Sequence, residues 1–168
     1  MEINLKGMKL SAGQGQLFHS EIPGNNEILK PLGKEFGKPI FIDIRLEIED
    51  QRIKAFGTIS TEVVLNCSRC LEPFVYDINA NFAVGMIDIS LQEEQDLWQD
   101  ELVFIKDGIA DFSALIYDII LTQVPMAPLC SINCKGLCPI CGIDLNSSSC
   151  QCQQDNIDPR WEKLRHLT

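Results

Sequence analysis

The chain has 168 residues, 45% hydrophobic and 23% charged, the balance of a soluble globular protein large enough for a core of its own. Its formal net charge of −10 excludes the basic face that indiscriminate binding to a phosphate backbone needs. No stretch approaches the ~20 apolar residues of a membrane span, and the opening Met1-Glu2-Ile3-Asn4-Leu5-Lys6 holds no apolar leader core, so a cytoplasmic protein with no membrane partner is expected.

Ile3, Leu5 and Met8 suggest a first strand, and residues 17–22 a second, with Pro23, Gly24, Asn25 and Asn26 marking a loop. Gly33, Gly37 and Pro39 argue against a long helix before residue 40. From there the pattern is plain. Ile40, Ile42, Ile44, Leu46 and Ile48 alternate with Asp43, Arg45, Glu47 and Glu49, a period of two with one face buried and one wet. After a polar turn at residues 49–52, the apolar set moves to Ile53, Ala55, Gly57, Ile59, Val63 and Leu65. After Pro73 it returns to even positions, from Phe74 and Tyr76 through Ile78, Ala80, Phe82 and Val84 to Met86. Three long strands with short links predict an antiparallel meander.

Residues 88–101 carry six carboxylates and no Lys or Arg: a solvated face, or a docking surface for something basic. Residues 102–105 read as a short strand closed by Lys106-Asp107-Gly108. Asp111 is placed to cap a helix in which Phe112, Leu115, Ile116, Ile119 and Ile120 form one stripe, ended by Pro125 and Pro128. This helix is expected to cover the sheet. Asp158 and Pro159 predict a short closing helix, with Trp161 and Leu164 on one face. The expected fold class is therefore α+β, an antiparallel β meander covered by one helix, with a Cys-rich zinc-binding tail. The β-rich domain and its helix take residues 1–128, the tail 129–168.

Six of the eight cysteines fall within residues 130–152. Cys138-Pro139-Ile140-Cys141-Gly142 has the form of a metal knuckle: a two-residue gap aims both sulfurs at one ion, and Gly142 supplies the positive φ such a turn needs. With Cys150 and Cys152 it gives four thiolates in two close pairs, suited to tetrahedral Zn2+, although a rubredoxin-like iron centre uses the same donors. In a reducing compartment such a set reads as ligands before disulfides. The remaining Cys67, Cys70, Cys130 and Cys134 are also two pairs. If the helix returns the chain to the turn at residues 66–73, they form a second site and pin the tail to the sheet. Alternatively Cys130 or Cys134 completes the first site, leaving Cys67 and Cys70 as free thiols or a redox pair.

Other chemistry has less behind it. A catalytic Cys-x-x-Cys sits at a helix N-terminus, whereas Cys67 and Cys70 lie between strands. His19 and His166 are far apart, in no metalloprotease-like context, and no Gly-rich phosphate loop is present, so neither catalysis nor a small-molecule substrate is expected.

Two runs taken together, Cys67-Ser68-Arg69-Cys70-Leu71-Glu72-Pro73 and the stretch from Pro128 through Cys134-Lys135-Gly136-Leu137-Cys138-Pro139-Ile140-Cys141 to Cys150-Gln151-Cys152, resemble the bacterial and plastid YceD family, described as large ribosomal subunit RNA accumulation proteins. The likeness runs from about residue 38 through Ile157-Asp158-Pro159-Arg160-Trp161 to the end; the first 37 residues match loosely. The resemblance implies a non-enzymatic role in building up large-subunit rRNA. It also implies that Cys-x-Arg-Cys is the core motif and the Cys-rich tail an elaboration, because some members lack that tail. A ribosomal protein or the pre-ribosomal large subunit is then the expected partner. The negative charge favours a basic ribosomal protein over broad rRNA contact. The alternatives are a zinc-dependent RNA-binding module using Arg69, Lys135 and the 160–165 tip as a local patch, and a thiol–disulfide oxidoreductase using Cys67 and Cys70.

Overall fold

Alternation of apolar and polar residues becomes one large sheet in the computed structural model, which describes residues 1–8, 15–30, 35–49, 52–90 and 101–152. In chain order the elements are β1 (Glu2–Asn4), β2 (Gln16–Ile22), α1 (Asn26–Leu29), β3 (Glu35–Phe36), β4 (Ile40–Glu49), β5 (Arg52–Asn66), β6 (Pro73–Asp88), β7 (Leu102–Lys106), β8 (Ile109–Asp111) and α2 (Ser113–Gln123). The strand order is β1-β8-β7-β6-β5-β4-β2, with β3 also paired to β5.

The period-two pattern sets the register. Ile42 lies opposite Ile59 and Ile59 opposite Ala80, so the apolar positions of β4, β5 and β6 share one face. There Ile40, Ile42, Ile44, Leu46, Ile59, Val63, Leu65 and Ile78 are almost wholly buried, each contributing about 1.5–3 kcal/mol by leaving water. The stripe on α2 joins them: Phe112, Leu115, Ile116 and Ile120 enter the same core, and Ile119 packs at its margin.

The meander expected from the sequence is seen in β4, β5 and β6, which are antiparallel neighbours. It ends there. β7 pairs with β6 in parallel, Gly85 opposite Leu102 and Asp88 opposite Ile105. A parallel pair needs a crossover of about a dozen residues, and β6 ends at Asp88 while β7 begins at Leu102. The chain then turns back at Asp107 (φ 53°) and Gly108 (φ 74°), the doubly positive conformation of a tight hairpin. This makes β8, which the sequence reading left unassigned, and β1 closes the far edge by pairing with it.

Two details of the helices also differ. Phe112, not Asp111, occupies the cap position of α2, while the Asp111 carboxylate accepts from the N–H and hydroxyl of Ser113 at 2.8 and 2.6 Å. A one-turn helix, α1, precedes β3, its first turn capped by Asn25. Most of the acidic run 88–101 and all of the expected helix at 158–165 lie outside the described residues. Among the described residues, no helix is long and apolar enough to cross a membrane.

For the candidate site the decisive element is the β5–β6 hairpin. Its pairing runs from Ile53 opposite Met86 to Asn66 opposite Pro73. The β4 pairing stops at Phe41 opposite Ser60, and beyond that point, among the described residues, the side of β5 away from β6 is flanked by β3 alone. The hairpin therefore projects past β4 and carries Cys67 and Cys70 at its tip.

Candidate metal centres

The tip turns sharply. Leu71 N–H donates to Cys67 O at 2.9 Å, and Leu71 takes a positive φ of 64°. The same turn recurs in the tail, where Gly142 N–H donates to Cys138 O at 2.9 Å with φ 73°. Two Cys-x-x-Cys segments thus fold into one knuckle geometry, once with the expected glycine and once with a leucine. In each, both sulfurs face the same way.

After α2 the chain returns to this tip. Ser68 N–H donates to Pro128 O at 2.8 Å, which sets residue 130 beside the knuckle. Cys67, Cys70, Cys130 and Cys134 then gather with every pair of sulfurs within 4.8 Å, and Cys138, Cys141, Cys150 and Cys152 do likewise. Cys67 Sγ lies 3.8 Å from Cys134 Sγ, and Cys70 Sγ 3.7 Å from Cys130 Sγ. A disulfide bond is about 2 Å long, whereas four sulfurs at 2.3 Å from a tetrahedral ion stand roughly 3.8 Å apart. The spacing fits an ion between the sulfurs, and all eight cysteines are free. Cys130 and Cys134 thus lie with the hairpin pair; the alternative grouping, with one of them completing the tail quartet, is not the one the chain adopts.

The electrostatics fit a dication too. The N–H groups of Cys130 and Cys70 hold the Cys67 thiol down to about 6, while burial and the Cys134 thiol push Cys130 up to about 12. Cys130 is exposed as a residue, but its sulfur faces the other three. In the tail, the N–H groups of Cys141 and Ile140 hold Cys138 down to about 6, and the Cys141 side chain and burial push Cys152 up to about 12. Each quartet yields a first thiolate readily and resists accumulating four. A bound cation removes that resistance. Either quartet could hold a metal ion, and with four thiolates each tetrahedron is closed, the form of a structural centre.

The quartets differ in depth. Cys67, Cys70 and Cys134 are buried and pack with Phe74, Leu129 and Leu137; Phe74 also touches the main core. In the tail quartet only Cys138 is buried. A short ribbon joins them. Leu137 bridges to Asp144, Leu145 N–H donates to Gly136 O at 2.9 Å, and Cys138 N–H to Ile143 O at 2.8 Å.

Three residues that the sequence reading passed over, or valued for charge, hold this assembly. Asn146 donates from Nδ2 to Cys134 Sγ at 3.4 Å and accepts from Lys135 N–H at 2.8 Å. Gly136, at φ 73°, lies so close to Arg69 that an added Cβ would sit 2.9 Å from its carbonyl oxygen. Arg69 itself donates from Nη1 to Cys134 O at 2.8 Å. Lys135 is exposed; Arg160 and Arg165 lie outside the described residues. His19 pairs with Asp43 on the sheet, away from both quartets, and His166 is not described.

A family model described as "Large ribosomal RNA subunit accumulation protein YceD" matches residues 56–168, about two thirds of the chain. The chain belongs to the YceD family. The YceD match begins inside β5 and takes in the hairpin tip and both quartets. Among curated relatives, the chloroplastic large ribosomal RNA subunit accumulation protein YCED homolog 1 of Zea mays is 29% identical over 157 residues, covering 77% of this chain and 54% of the relative. An uncharacterised protein of Mycobacterium leprae is 31% identical over 137 residues, with 79% and 61% covered. YlbN of Bacillus subtilis is 27% identical over 131 residues, with 77% and 74% covered. The chain spans 54% and 61% of the length of the first two of these relatives. No solved structure matches.

Proposed function

We propose that this YceD-family protein is a non-enzymatic factor that supports accumulation of large-subunit rRNA by holding a basic ribosomal protein during assembly of the large subunit, with two Zn2+ ions as structural staples. The observation that carries the reading is the pair of closed four-cysteine quartets inside the family match, one of which ties the tail to the hairpin tip. The rRNA role comes with the family description and with the plant relative's name. The basic partner follows from charge: the chain carries −10 before metal is counted, and each dication held by four thiolates leaves about −2 more. Ribosomal proteins are strongly basic and need shielding until they meet rRNA. The protein acts in the cytoplasm or an equivalent compartment where thiols stay reduced.

A local RNA patch on Arg69 and Lys135 has less support, since the Arg69 guanidinium is already engaged with Cys134 O. A thiol oxidoreductase has less again: Cys67 and Cys70 are 0% and 5% exposed, so an incoming disulfide would have no access to them.

The test has two parts. Metal analysis with native mass spectrometry should find two zinc ions per chain and no thiolate-to-iron absorption band. Affinity purification after nuclease treatment should retain a basic ribosomal protein. Retention of rRNA fragments with no ribosomal protein would sink the holding role.

A further inference from the structure

The wet face of the sheet is not uniformly polar. One row across β2, β4, β5 and β6 is made of Leu17, Arg45, Phe56 and Ala83, each opposite the next. Leu17, on the edge strand β2, and Phe56, on the interior strand β5, are 55% and 38% exposed, although apolar side chains of such a sheet should face the core. An open, mostly apolar groove of about 570 Å³ lies along this row. Through Asp43 it continues into a second recess beside His19 and Glu21, and through Phe41, 44% exposed, into a third beside Lys38 and Asp77. The three recesses adjoin one another as a trough on one face, with Leu17, Phe56 and Phe41 as its exposed apolar side chains.

Its charges have a sign. Among the described residues, the two cations lining it are engaged, Arg45 with Glu47 and Lys38 with Glu62, with Asp77 also near Lys38. Lys54, one row further along, stands opposite Glu47 and has a partner of its own. Glu21, Asp43 and Asp77 remain, with His19 on Asp43. A nucleic acid would meet net negative charge here, and a second copy of the face would meet its own sign.

We propose that this trough is the docking surface for the basic partner, and that it takes a Lys/Arg-rich protein segment whose bulky apolar side chain packs on Phe56 and Leu17 across the stem of Arg45 while its cations meet Glu21, Asp43 and Asp77. This rests on the holding role proposed above and gives it an address, away from the metal centres.

Fluorescence anisotropy on the zinc-loaded full chain tests it, with a labelled lysine-rich peptide carrying one central phenylalanine as probe. Phe56→Ser should weaken binding about tenfold, the loss typical of an anchor in a small interface. Asn81 lines the groove; Asn81→Lys should weaken binding and Asn81→Asp should tighten it, an opposed pair that misfolding cannot imitate. Replacing the peptide's phenylalanine by serine should weaken binding to wild type but not to Phe56→Ser. Equal affinity across all these proteins, or preferential binding of an oligouridylate, would overturn the proposal. In nuclease-treated purifications, a basic ribosomal protein held equally well by wild type, Phe56→Ser and Asn81→Lys would remove this surface and leave the holding role standing. A wild type that holds none would remove the holding role, while the peptide titration still judges the trough.

Discussion

The guanidinium of Arg69 donates to Cys134 O at 2.8 Å while the backbone carbonyl of the same arginine accepts from Leu137 N–H at 3.0 Å. One residue of the hairpin knuckle therefore grips the tail ribbon on both sides of Gly136. Arg69→Ala removes the side-chain half of that grip and should cost about 1.5–3 kcal/mol, the worth of a hydrogen bond from a charged donor. Hydrogen exchange should quicken at Leu137 and Cys138, and metal should leave the hairpin quartet sooner. Core amides in β4 and β5 should be unaffected. Unchanged exchange at Leu137 would count against the grip.

Gly136 and Gly142 share a φ of 73° but not their surroundings: nothing lies within 4 Å of a Cβ built on Gly142, whereas one on Gly136 meets Arg69 O at 2.9 Å. Gly142→Ala should cost only the left-handed backbone, about 1 kcal/mol. Gly136→Ala should cost distinctly more, because backbone cannot move aside as a flexible side chain can. Thermal denaturation of the two metal-loaded variants gives the comparison, and equal losses would show that the close approach carries no energy.

Cys67→Ser and Cys141→Ser should each lower the metal content from two ions to one, with different consequences. Loss of the hairpin centre should free the tail to proteases. Loss of the tail centre should leave the residues near Pro128 docked. Because Cys141, Cys150 and Cys152 are accessible and Cys67, Cys70 and Cys134 are buried, a chelator should strip the tail quartet first. Native mass spectrometry during chelation should pass through a one-metal species.

Asp111 links three chain segments: it accepts from Ser113 and lies 3.6 Å from the Met1 amino group. Burial pushes its carboxyl up, but the Ser113 hydroxyl and N–H and the amino group outweigh it, so the folded value lies below the ordinary 3.8. The sign follows. The unfolded chain holds its proton to higher pH than the folded one, so the stabilisation is complete above the unfolded value and is lost as pH falls through the folded one. Asp111→Asn should lower stability at neutral pH by about 0.5–1 kcal/mol, the scale of a partly exposed hydrogen-bonded ion pair, and flatten the fall in melting temperature below about pH 4. Parallel curves for the two proteins would dismiss the linkage.

Much of this is legible in the sequence, for local reasons. Strict alternation from Ile40 to Met86 can satisfy only a two-sided strand, so the central sheet and its buried face follow from side-chain chemistry. The stripe from Phe112 to Ile120 defines α2 in the same way. The Cys138–Cys141 spacing and its following glycine define a knuckle without help from elsewhere. The β8 strand escaped because three residues carry too little pattern, although Asp107-Gly108 is a hairpin signal.

Local pattern thus settles the three long strands β4, β5 and β6, the helix α2 and the tail knuckle, and it sorts eight cysteines into pairs. Which pairs meet is left to long-range packing. Cys70 and Cys130 are distant in the chain, and their sulfurs come within 3.7 Å because β5 and β6 project past β4 and α2 delivers Pro128 onto Ser68. The parallel seating of β7 and the trough around Phe56 are of the same kind. Each depends on strands chosen by long-range packing, which local periodicity cannot specify.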